Sequence, residues 1–320
     1  MDICSSVAAL SAIPTGSTVA IGVFDGVHVG HQAVIRRAVL DAQTSGRRSV
    51  VFTFTEHPEE LLAPQRAPRY LTTPMQREKL IAACGTDTFV CIPFNSEFAR
   101  LSADEFYADI LLAQLGARSI VVGDNFRFGA ERAGDVKFLL ERQGSSGCMV
   151  HALAPVIVSG VPASSTRIRQ CIAEGLISKA EEVLGHEYWL VGEVVHGQRL
   201  ARTLGYATAN LDIVYRQVIP ADGIYAVTAR LADGRTVAGA CAIGERPTVP
   251  GAGRAVEVHL LDFDESLYGQ EISVRFIERL RDEVRFNDLD ALKAQMSRDV
   301  AASRRILANF DGVSGRTPGE

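Results

Sequence analysis

Several features are scarce in this 320-residue sequence, and each scarcity narrows the class of protein that it can encode. The six cysteines are scattered with no CxxC pair, a pattern that fits free thiols in a reducing compartment and not a disulfide framework. No apolar run is long enough to span a membrane, and the amino-terminal segment MDICSSVAALSAIP lacks the basic stretch of a secretory signal. We therefore expect a cytoplasmic protein without a membrane partner.

Positive charge is also in short supply. The 33 lysines and arginines are outnumbered by 38 aspartates and glutamates, so the formal net charge is −5. This balance argues against broad electrostatic binding to DNA or RNA, and we expect no nucleic-acid partner. With 47% hydrophobic residues the chain has an ordinary globular composition, and its length suggests two domains because domains cluster near ~100–200 residues.

The segment AIGVFDGVHVGH joins an apolar strand to a glycine-rich turn that ends in two histidines. A helix is predicted from His31 onward, because apolar residues then recur at helical spacing. The free N–H groups and positive dipole end of that helix favour a phosphate, and the glycines let a ligand approach the backbone. His28 and His31 are candidates to donate hydrogen bonds to phosphate oxygens. The turn therefore suits displacement at an α-phosphate.

Two other interpretations of this histidine pair stay open. The pair could hold a metal ion, although zinc needs three or four protein ligands and no other His/Cys cluster stands nearby in the sequence. It could also belong to a structural turn with one hydrogen-bonded histidine.

The rest of the amino-terminal half alternates predicted strands and helices, which is typical of a doubly wound parallel sheet. A nucleotide should then lie beyond the carboxyl ends of the strands. The predicted strands after the first are 49–54, 88–94, 119–123 and 148–153, and the predicted helices after the first are 74–84, 103–115 and 135–143. Ser102 and Glu105 match a capping box at the start of the helix 103–115.

Two loops at strand ends carry candidate ligand groups. His57, in FTEHP, is either a site residue or a surface-loop histidine. In DNFRFG, Phe126 and Phe128 either close the core or offer a flat wall to an aromatic ligand, while Asn125 contacts its polar edge. The position after a strand favours the ligand interpretation.

A further candidate group lies at a predicted helix start in ASSTRIRQ. Ser164, Ser165 and Thr166 offer hydroxyls beside free backbone N–H groups, which together hold phosphate. Arg167 and Arg169 follow within the first turn, and an arginine there can clamp the oxygens of the leaving pyrophosphate. The alternative is an ordinary helix cap followed by solvated arginines.

Near Gly185 the helices give way to short strands rich in β-branched residues, which indicates a compact barrel or sandwich. We predict one domain over 1–185, a barrel domain over 186–310 and a disordered tail over 311–320. A final helix near 288–309 is expected to pack on the barrel through one apolar face.

The barrel half contains a second candidate site. Thr208 and Asn210 should point to the same side of an extended segment, where a hydroxyl and an amide oxygen suit Mg²⁺ carrying nucleotide phosphates. Glu257 alternates with two valines, and a lone carboxylate facing into a small barrel would suggest a general base. An outward, solvated glutamate is the alternative.

Four segments together resemble one family over nearly the whole chain. GVFDGVHVGHQ is similar to the amino-terminal module of prokaryotic bifunctional riboflavin kinase/FAD synthetases. RTLGYATANL, IGERPTV and LYGQEISVRFIERLRDEVRF resemble segments of their carboxyl-terminal module. The resemblance implies a Rossmann-like nucleotidyltransferase domain followed by an antiparallel riboflavin kinase barrel with a terminal helix.

The resemblance also implies roles for individual residues in each module. In the first module the resemblance puts Gly22, Phe24, Asp25, His28 and His31 in the ATP-binding turn, identifies Arg169 as the arginine of the SSTxxR segment, and puts Asn125 and Phe128 on the flavin side. With the residues singled out above, the predicted ATP contacts also include Gly30, Ser164, Ser165 and Thr166, and the predicted flavin side also includes His57 and Phe126. The predicted catalytic residues of this module are His28, His31 and Arg169. In the second module Gly205, Thr208 and Asn210 would bind Mg²⁺-ATP, Glu257 would deprotonate the ribityl 5′-hydroxyl, and Arg281, Glu283 and Phe286 would lie near the flavin.

The expected partners are riboflavin, FMN, FAD, ATP, ADP and pyrophosphate, with Mg²⁺ as cofactor and ATP as co-substrate. The sequence leaves the oligomeric state open, and a homo-oligomer is one of the assemblies that it allows. Ala201 and Ala207 replace a glycine and a proline of the family pattern, so one alternative is an adenylyltransferase whose kinase module is weak or takes a modified flavin. A non-catalytic flavin sensor is a second alternative. A relative of class I aminoacyl-tRNA synthetases is a third, which the absence of a KMSKS-like loop disfavours.

Overall fold

A computed structural model of the chain describes residues 1–6, 16–196, 208–245, 254–284, 286 and 288–310. These residues form two compact units. The first comprises Met1–Pro68 and Pro74–Ser165, and the second comprises Arg69–Thr73 and the described residues from Thr166 onward. The predicted tail over 311–320 lies outside the described residues.

The first unit is built on a six-stranded parallel sheet with the order β1-β4-β3-β2-β5-β8. Its central strands are continuous apolar runs, as expected for strands covered on both faces. The strands are β1 (Asp2–Cys4), β2 (Ser17–Ile21), β3 (Arg48–Phe54), β4 (Thr88–Ile92), β5 (Ala117–Gly123) and β8 (Met149–Leu153). Two short ribbons pair β6 (Arg127–Phe128) with β7 (Gly134–Asp135) and β9 (Ile157–Val158) with β10 (Val161–Pro162).

Helices cover both faces of this sheet. They are α1 (Val29–Ser45), α2 (Pro58–Leu62), α3 (Pro74–Ala82), α4 (Ala103–Glu105) and α5 (Val136–Ser146), with short 3₁₀ turns at Pro64–Arg66, Phe98–Arg100 and Ala130–Arg132. Alternate residues of β2 enter opposite cores, since Val19 packs with the cluster that contains Leu111 while Ala20 packs against Ile35 of α1.

Two helix starts differ from the sequence prediction or refine it. α1 begins at Val29, two residues before the predicted start, because His28 acts as its N-cap. The capping box of Ser102 and Glu105 is present, but beyond it the helix continues as a π-helical segment, Phe106–Gln114.

The second unit is a closed six-stranded antiparallel barrel with the order β11-β12-β15-β14-β13-β16. Its strands are β11 (Trp189–Val195), β12 (Ala209–Asp212), β13 (Gly223–Arg230), β14 (Thr236–Glu245), β15 (Arg254–Leu260) and β16 (Glu271–Arg281). The helices of this half are α6 (Ser165–Ala173), α7 (Ile177–Leu184) and α8 (Leu289–Phe310). The predicted barrel and terminal helix are therefore confirmed.

α7 is tied to the barrel by an ion-pair network. Arg275 of β16 contacts Glu181 of α7 at 3.3 Å and also pairs with Glu187, which in turn accepts a hydrogen bond from the Trp189 indole at 3.1 Å. α6 after Ser165 and all of α7 therefore group with the barrel in this division. The domain boundary near Gly185 stays a prediction about where the functional modules divide.

The segment Arg69–Thr73 belongs to the barrel unit although it lies early in the sequence. Tyr70 forms a parallel bridge with Gln217, whose fully buried side-chain amide donates to the carbonyls of Leu71 (3.4 Å) and Trp189 (3.0 Å). The amide oxygen of Gln217 accepts from the N–H of Val191 at 2.9 Å. All hydrogen-bonding groups of this buried amide are thus engaged, which fixes the segment.

Candidate active sites

The glycine-rich turn after β2 is backbone-strained. Phe24 and Val27 adopt positive φ angles of 51° and 37°, a region that costs a non-glycine residue about 1–3 kcal/mol, and Gly26 adopts 79°. Both non-glycine side chains are fully buried, so core packing holds the turn in this conformation. Strain maintained by packing is typical of a functional site.

His28 has its tautomer set by the helix that follows. Its Nδ1 accepts hydrogen bonds from the backbone N–H groups of Gly30 (3.1 Å) and His31 (3.3 Å). Because Nδ1 is an acceptor, the proton of the neutral ring sits on Nε2. His28 therefore caps α1 with one ring nitrogen and keeps the other as a hydrogen-bond donor.

The structure brings the two predicted histidines together. The rings of His28 and His31 stack with centroids 3.7 Å apart and an angle of 20° between their planes, and Phe24 packs edge-on to His31 at 5.3 Å. Within the described ranges, no group of three or more His, Cys, Asp or Glu side chains is placed to hold a metal ion. The metal interpretation of the pair thus gains no third ligand there.

Two glycines of the turn lie so close to ring side chains that a larger residue would contact the rings. A Cβ at Gly30 would lie 3.0 Å from Cε1 of His28 and 3.1 Å from its Nδ1. A Cβ at Gly22 would lie 3.0 Å from the ring of Phe24. The glycines therefore allow the close approach that places His28 over the start of α1.

One of the predicted hydroxyl residues, Ser165, contacts this turn. The Ser165 hydroxyl donates to the backbone carbonyl of Asp25 at 3.0 Å, and Asp25 is buried. α6 begins at Ser165, so the predicted helix start is confirmed, with Ser164 immediately before it and Thr166 exposed in its first turn. Arg169 belongs to the second unit, where its Nε donates to the carbonyl of Arg69 at 2.7 Å.

The ring of His57 has the same kind of hydrogen-bond arrangement as that of His28. It caps α2, and its Nδ1 accepts from the N–H of Glu59 at 3.2 Å, which leaves Nε2 as the donor of the neutral ring. The side chain is half-buried at the end of β3, where the sequence placed it.

The predicted ligand residues of the loop after β5 differ in their exposure to solvent. Asn125 is exposed and Phe126 is half-buried, stacked on Phe128 at 5.4 Å. Phe128 is buried in the core cluster and packs against Phe106 and Phe138, which is the packing alternative weighed for it. A flavin contact for Asn125, Phe126 and Phe128 stays a prediction.

Sequence analysis overlooked one buried cation in the first unit. Arg77 of α3 is only 4% exposed, and its guanidinium reaches the carbonyls of Val23 and Thr55. The available signal was its spacing, since Arg77 lies four residues before the fully buried Ile81 on the apolar face of α3.

In the barrel, strand pairing brings two predicted site residues together. Asn210 of β12 lies directly opposite Glu257 of β15, and Glu257 is in turn opposite Ala242 of β14. Side chains directly opposite on antiparallel strands point to the same face with Cβ atoms about 4.5–5.5 Å apart. Asn210 is buried and Glu257 is half-buried, so the amide and the carboxylate share one protected patch.

The direction of Glu257 corrects one expectation. Val256 and Val258, its neighbours on β15, are buried at 1% and 0% exposure and fill the barrel interior. Because side chains alternate along a strand, Glu257 faces away from that interior. The expectation of a carboxylate pointing into the barrel is therefore wrong, while its half-buried position also differs from that of a fully solvated glutamate.

A cleft of about 240 Å³ opens beside this patch. It combines an apolar floor with two aromatic side chains, two carboxylates and the Thr208 hydroxyl. Its lining includes Val194, Thr208, Val258, Leu260, Phe263, Asp264, Glu265 and Tyr268. At its rim the ring of Tyr268 stacks on His196 with centroids 3.9 Å apart.

The predicted flavin-side residues of the second unit lie at the end of β16. Arg281 forms a bidentate pair with Asp299 of α8 at 2.7–3.2 Å, and its guanidinium lies 6.0 Å from the ring of Phe286. Glu283 is exposed, and its carboxylate covers Gly244 so closely that a Cβ there would displace it. Gly205, Ala201 and Ala207 lie outside the described residues.

Burial keeps several thiols un-ionised. It raises the pKa of Cys148 to about 11, and burial with the nearby Glu257 carboxylate raises the pKa of Cys241 still further. Burial also raises the pKa of Cys84 and Cys91. These four are therefore poor nucleophiles near neutral pH. None of the helices in the described ranges is long and apolar enough to cross a membrane.

Comparisons with known proteins match both units. The FAD synthetase family model matches residues 10–167 and the riboflavin kinase model matches residues 184–307. The bifunctional riboflavin kinase/FMN adenylyltransferase of Escherichia coli (strain K12) is 39% identical over 91% of this chain and 93% of that protein, and its counterpart in Pseudomonas fluorescens is 41% identical over 92% and 94%.

A solved structure gives the same extent of similarity. A crystal structure described as a macrolide-efflux protein from Streptococcus pneumoniae covers 94% of this chain and 98% of that one, with a TM-score of 0.84 and 32% identity. Together with the two family models and the curated relatives, this similarity spans both units. The chain therefore belongs to the family of bifunctional riboflavin kinase/FMN adenylyltransferases.

Proposed function

We propose that the chain carries two activities. The carboxyl-terminal module phosphorylates riboflavin to FMN with ATP, and the amino-terminal module predicted over residues 1–185 transfers the adenylyl group of ATP to FMN, giving FAD and pyrophosphate. The family of the chain supports this assignment. The single observation that carries the kinase half is the direct pairing of Asn210 with Glu257.

In the kinase reaction the ribityl 5′-hydroxyl oxygen attacks the γ-phosphorus of ATP while the bond to the β–γ bridging oxygen breaks and ADP leaves. Glu257 accepts the hydroxyl proton. A positioned general base contributes roughly 10²–10⁴-fold to such a step. The pairing with Asn210 supports this role, because it places the carboxylate beside the groups assigned to the nucleotide.

Magnesium suits the oxygen donors of this patch. Mg²⁺ is usually held by one or two protein oxygens together with substrate phosphates and waters, and the buried Asn210 amide and the half-buried Thr208 hydroxyl offer such oxygens. Bound Mg²⁺ would neutralise charge on the nucleotide phosphates. Thr208 and Asn210 would hold it, while the adjacent cleft accepts the rest of the nucleotide.

In the adenylylation reaction an oxygen of the FMN phosphate attacks the α-phosphorus of ATP, the bond to the α–β bridging oxygen breaks, and pyrophosphate leaves. His28 donates from Nε2 to the phosphate oxygens, and the adjacent His31 adds a second imidazole. Arg169 stabilises charge on the leaving group. The capped tautomer of His28 supports this assignment, since it presents a donor without protonation of Nδ1.

Product chromatography tests both halves. Purified protein is incubated with ATP and Mg²⁺, starting from riboflavin in one reaction and from FMN in the other. FAD from both starting points is the expected result. FAD from FMN with no product from riboflavin would favour the second candidate, an adenylyltransferase with a weak kinase module or a modified flavin substrate, which the replacements Ala201 and Ala207 motivate.

Two further features of the proposal rest on the sequence alone. We place the protein in the cytoplasm and without nucleic-acid partners. The oligomeric state stays open between a single chain and a homo-oligomer, and size-exclusion chromatography with light scattering would measure it.

A further inference from the structure

Arg77 spans the edge of the sheet at which parallel-sheet proteins bind nucleotides. Its Nη1 donates to the carbonyl of Val23, just after β2, at 3.5 Å, and its Nη2 donates to the carbonyl of Thr55, just after β3, at 3.3 Å. Nη2 also lies 3.6 Å from Sγ of Cys91 in β4. One guanidinium thus joins the carboxyl-terminal ends of three adjacent strands, where ligands of such sheets bind.

The two carbonyls belong to the loops that carry the histidines. Val23 directly precedes the strained residue Phe24 of the turn that leads to His28, and Thr55 lies two residues before His57. The Val23 carbonyl also accepts from the Thr53 hydroxyl at 3.0 Å. By donating to one carbonyl in each loop, Arg77 therefore fixes the spacing between the two histidine loops.

Among the described residues, Arg77 has no carboxylate in direct contact with it. The side chain is 4% exposed, its Nε is buried without a hydrogen-bond partner, and no Asp or Glu oxygen of the described residues lies within 4.0 Å of it. A buried charge costs several kcal/mol unless it is compensated, and carbonyl dipoles compensate it only in part. A polyphosphate held at the adjacent turn would supply the missing negative charge.

We propose that Arg77 is a positioning residue for FAD formation, which holds the two histidine loops in register and provides a buried positive charge, without a directly paired carboxylate, near the pyrophosphate portion of bound ATP. The proposal rests on the adenylyltransferase assignment made above. It requires no contact between Arg77 and the substrate, because the effect is transmitted through the carbonyls of Val23 and Thr55 and through the field of a buried cation.

Three variants of the full chain test this role: Arg77→Met removes charge and hydrogen bonds, Arg77→Lys keeps the charge, and Lys79→Met removes an exposed cation from the same helix. The rate of FAD formation from FMN should fall about a hundredfold in Arg77→Met, because a displacement of catalytic groups by about 1 Å lowers a rate by about that factor. Arg77→Lys should recover about tenfold of that loss, because lysine restores the charge but not the fork of donors. Lys79→Met should match the wild type.

Two readouts separate positioning from folding. Riboflavin phosphorylation by the same samples should stay within about twofold of wild type, since Arg77 lies in the other unit. The dissociation constant of inorganic pyrophosphate, a product of FAD formation only, should rise about tenfold in Arg77→Met and be unchanged in Lys79→Met.

Two results would overturn the inference: FAD formation within about threefold of wild type in folded Arg77→Met, or an Arg77→Lys protein no better than Arg77→Met in both readouts. If Arg77→Met fails to fold, Arg77→Lys still decides, because its pyrophosphate affinity should stay near that of wild type. A wild type that makes no FAD but binds pyrophosphate in an Arg77-dependent manner would reject the adenylyltransferase assignment and leave the charge role standing.

Discussion

The two candidate sites are assembled in opposite ways. The first is local: His28 and His31 lie three residues apart and are positioned by a strained turn and by the start of one helix. The second is non-local: Asn210 and Glu257 lie far apart in the sequence and meet through the register of β12 and β15. Both arrangements present groups suited to phosphate chemistry, one through backbone geometry and the other through strand pairing.

This difference predicts different weak points. In the turn, small changes to the backbone should matter, because the His28 ring lies close to Gly30 and the Phe24 ring lies close to Gly22, with little space for a Cβ at either glycine. In the barrel, the backbone is fixed by neighbouring strands on both sides, so the identity of single side chains should matter most.

The largest expected effect is in the barrel. Glu257→Gln should lower riboflavin phosphorylation by roughly 10²–10⁴-fold, because the amide cannot accept the hydroxyl proton. FAD formation from FMN should be unchanged in the same sample. The matched control is Glu193→Gln, an exposed carboxylate on β11, and equal loss of kinase activity in both variants would contradict the assignment.

The next test separates the two functions of His28. His28→Asn keeps a side-chain acceptor for the cap of α1 but removes the Nε2 donor. FAD formation should fall roughly 10²–10³-fold, as for loss of one donor to a developing charge, while the thermal midpoint stays near wild type. His28→Ala should lose the activity and about 0.5–2 kcal/mol of stability. An active His28→Asn protein would show that only the cap matters.

A smaller change probes the backbone itself. Gly30→Ala should lower FAD formation about tenfold, because the new Cβ presses on Cε1 and Nδ1 of His28 and shifts the ring. Gly144→Ala in α5 is the matched control, since a Cβ there meets nothing within 4 Å. Full activity in Gly30→Ala would show that the turn relaxes more readily than its packing indicates.

The smallest expected effect is on stability at high pH. Each unit contains one buried cysteine whose ionisation opposes folding there, Cys148 in the first unit and Cys241 in the second. The pKa of Cys148 is about 11 in the folded protein against 9.0 for a free thiol, so its contribution to stability is complete below pH 9.0 and lost as the pH rises through about 11. The free energy of unfolding, measured with urea, should therefore fall slightly less between pH 8 and about pH 10.5 in Cys148→Ala than in wild type. Alkylation rates at pH 8 would show whether the two units open separately.

The contrast between the sites also explains what the sequence could predict. The HxGH segment predicts a phosphate turn because all its determinants are adjacent, and its one error, the helix start at His31, arose because His28 replaces the usual Ser or Asp as the cap. Alternation along β15 predicted that Glu257 faces away from its neighbouring valines. It could not identify which face is the barrel interior, since this depends on how six strands close.

Long-range pairing and burial account for the other differences. The direct opposition of Asn210 and Glu257 requires a register that no local pattern contains. Arg77 was overlooked because an arginine on a helix is usually solvated, and only the fold shows that its guanidinium ends among strand carbonyls. Phe128 followed the general tendency of phenylalanine to enter the core.

The early segment Arg69–Thr73 makes the architecture less divisible than two consecutive modules would be. The segment is hydrogen-bonded to Gln217 of the barrel unit, yet in the sequence it lies between two parts of the sheet unit. A gene fragment that begins after residue 185 would leave the buried amide of Gln217 without one of its acceptors, at a cost of about 1–3 kcal/mol. Recombination between relatives should therefore be tolerated better when whole coding sequences are exchanged than when halves are spliced.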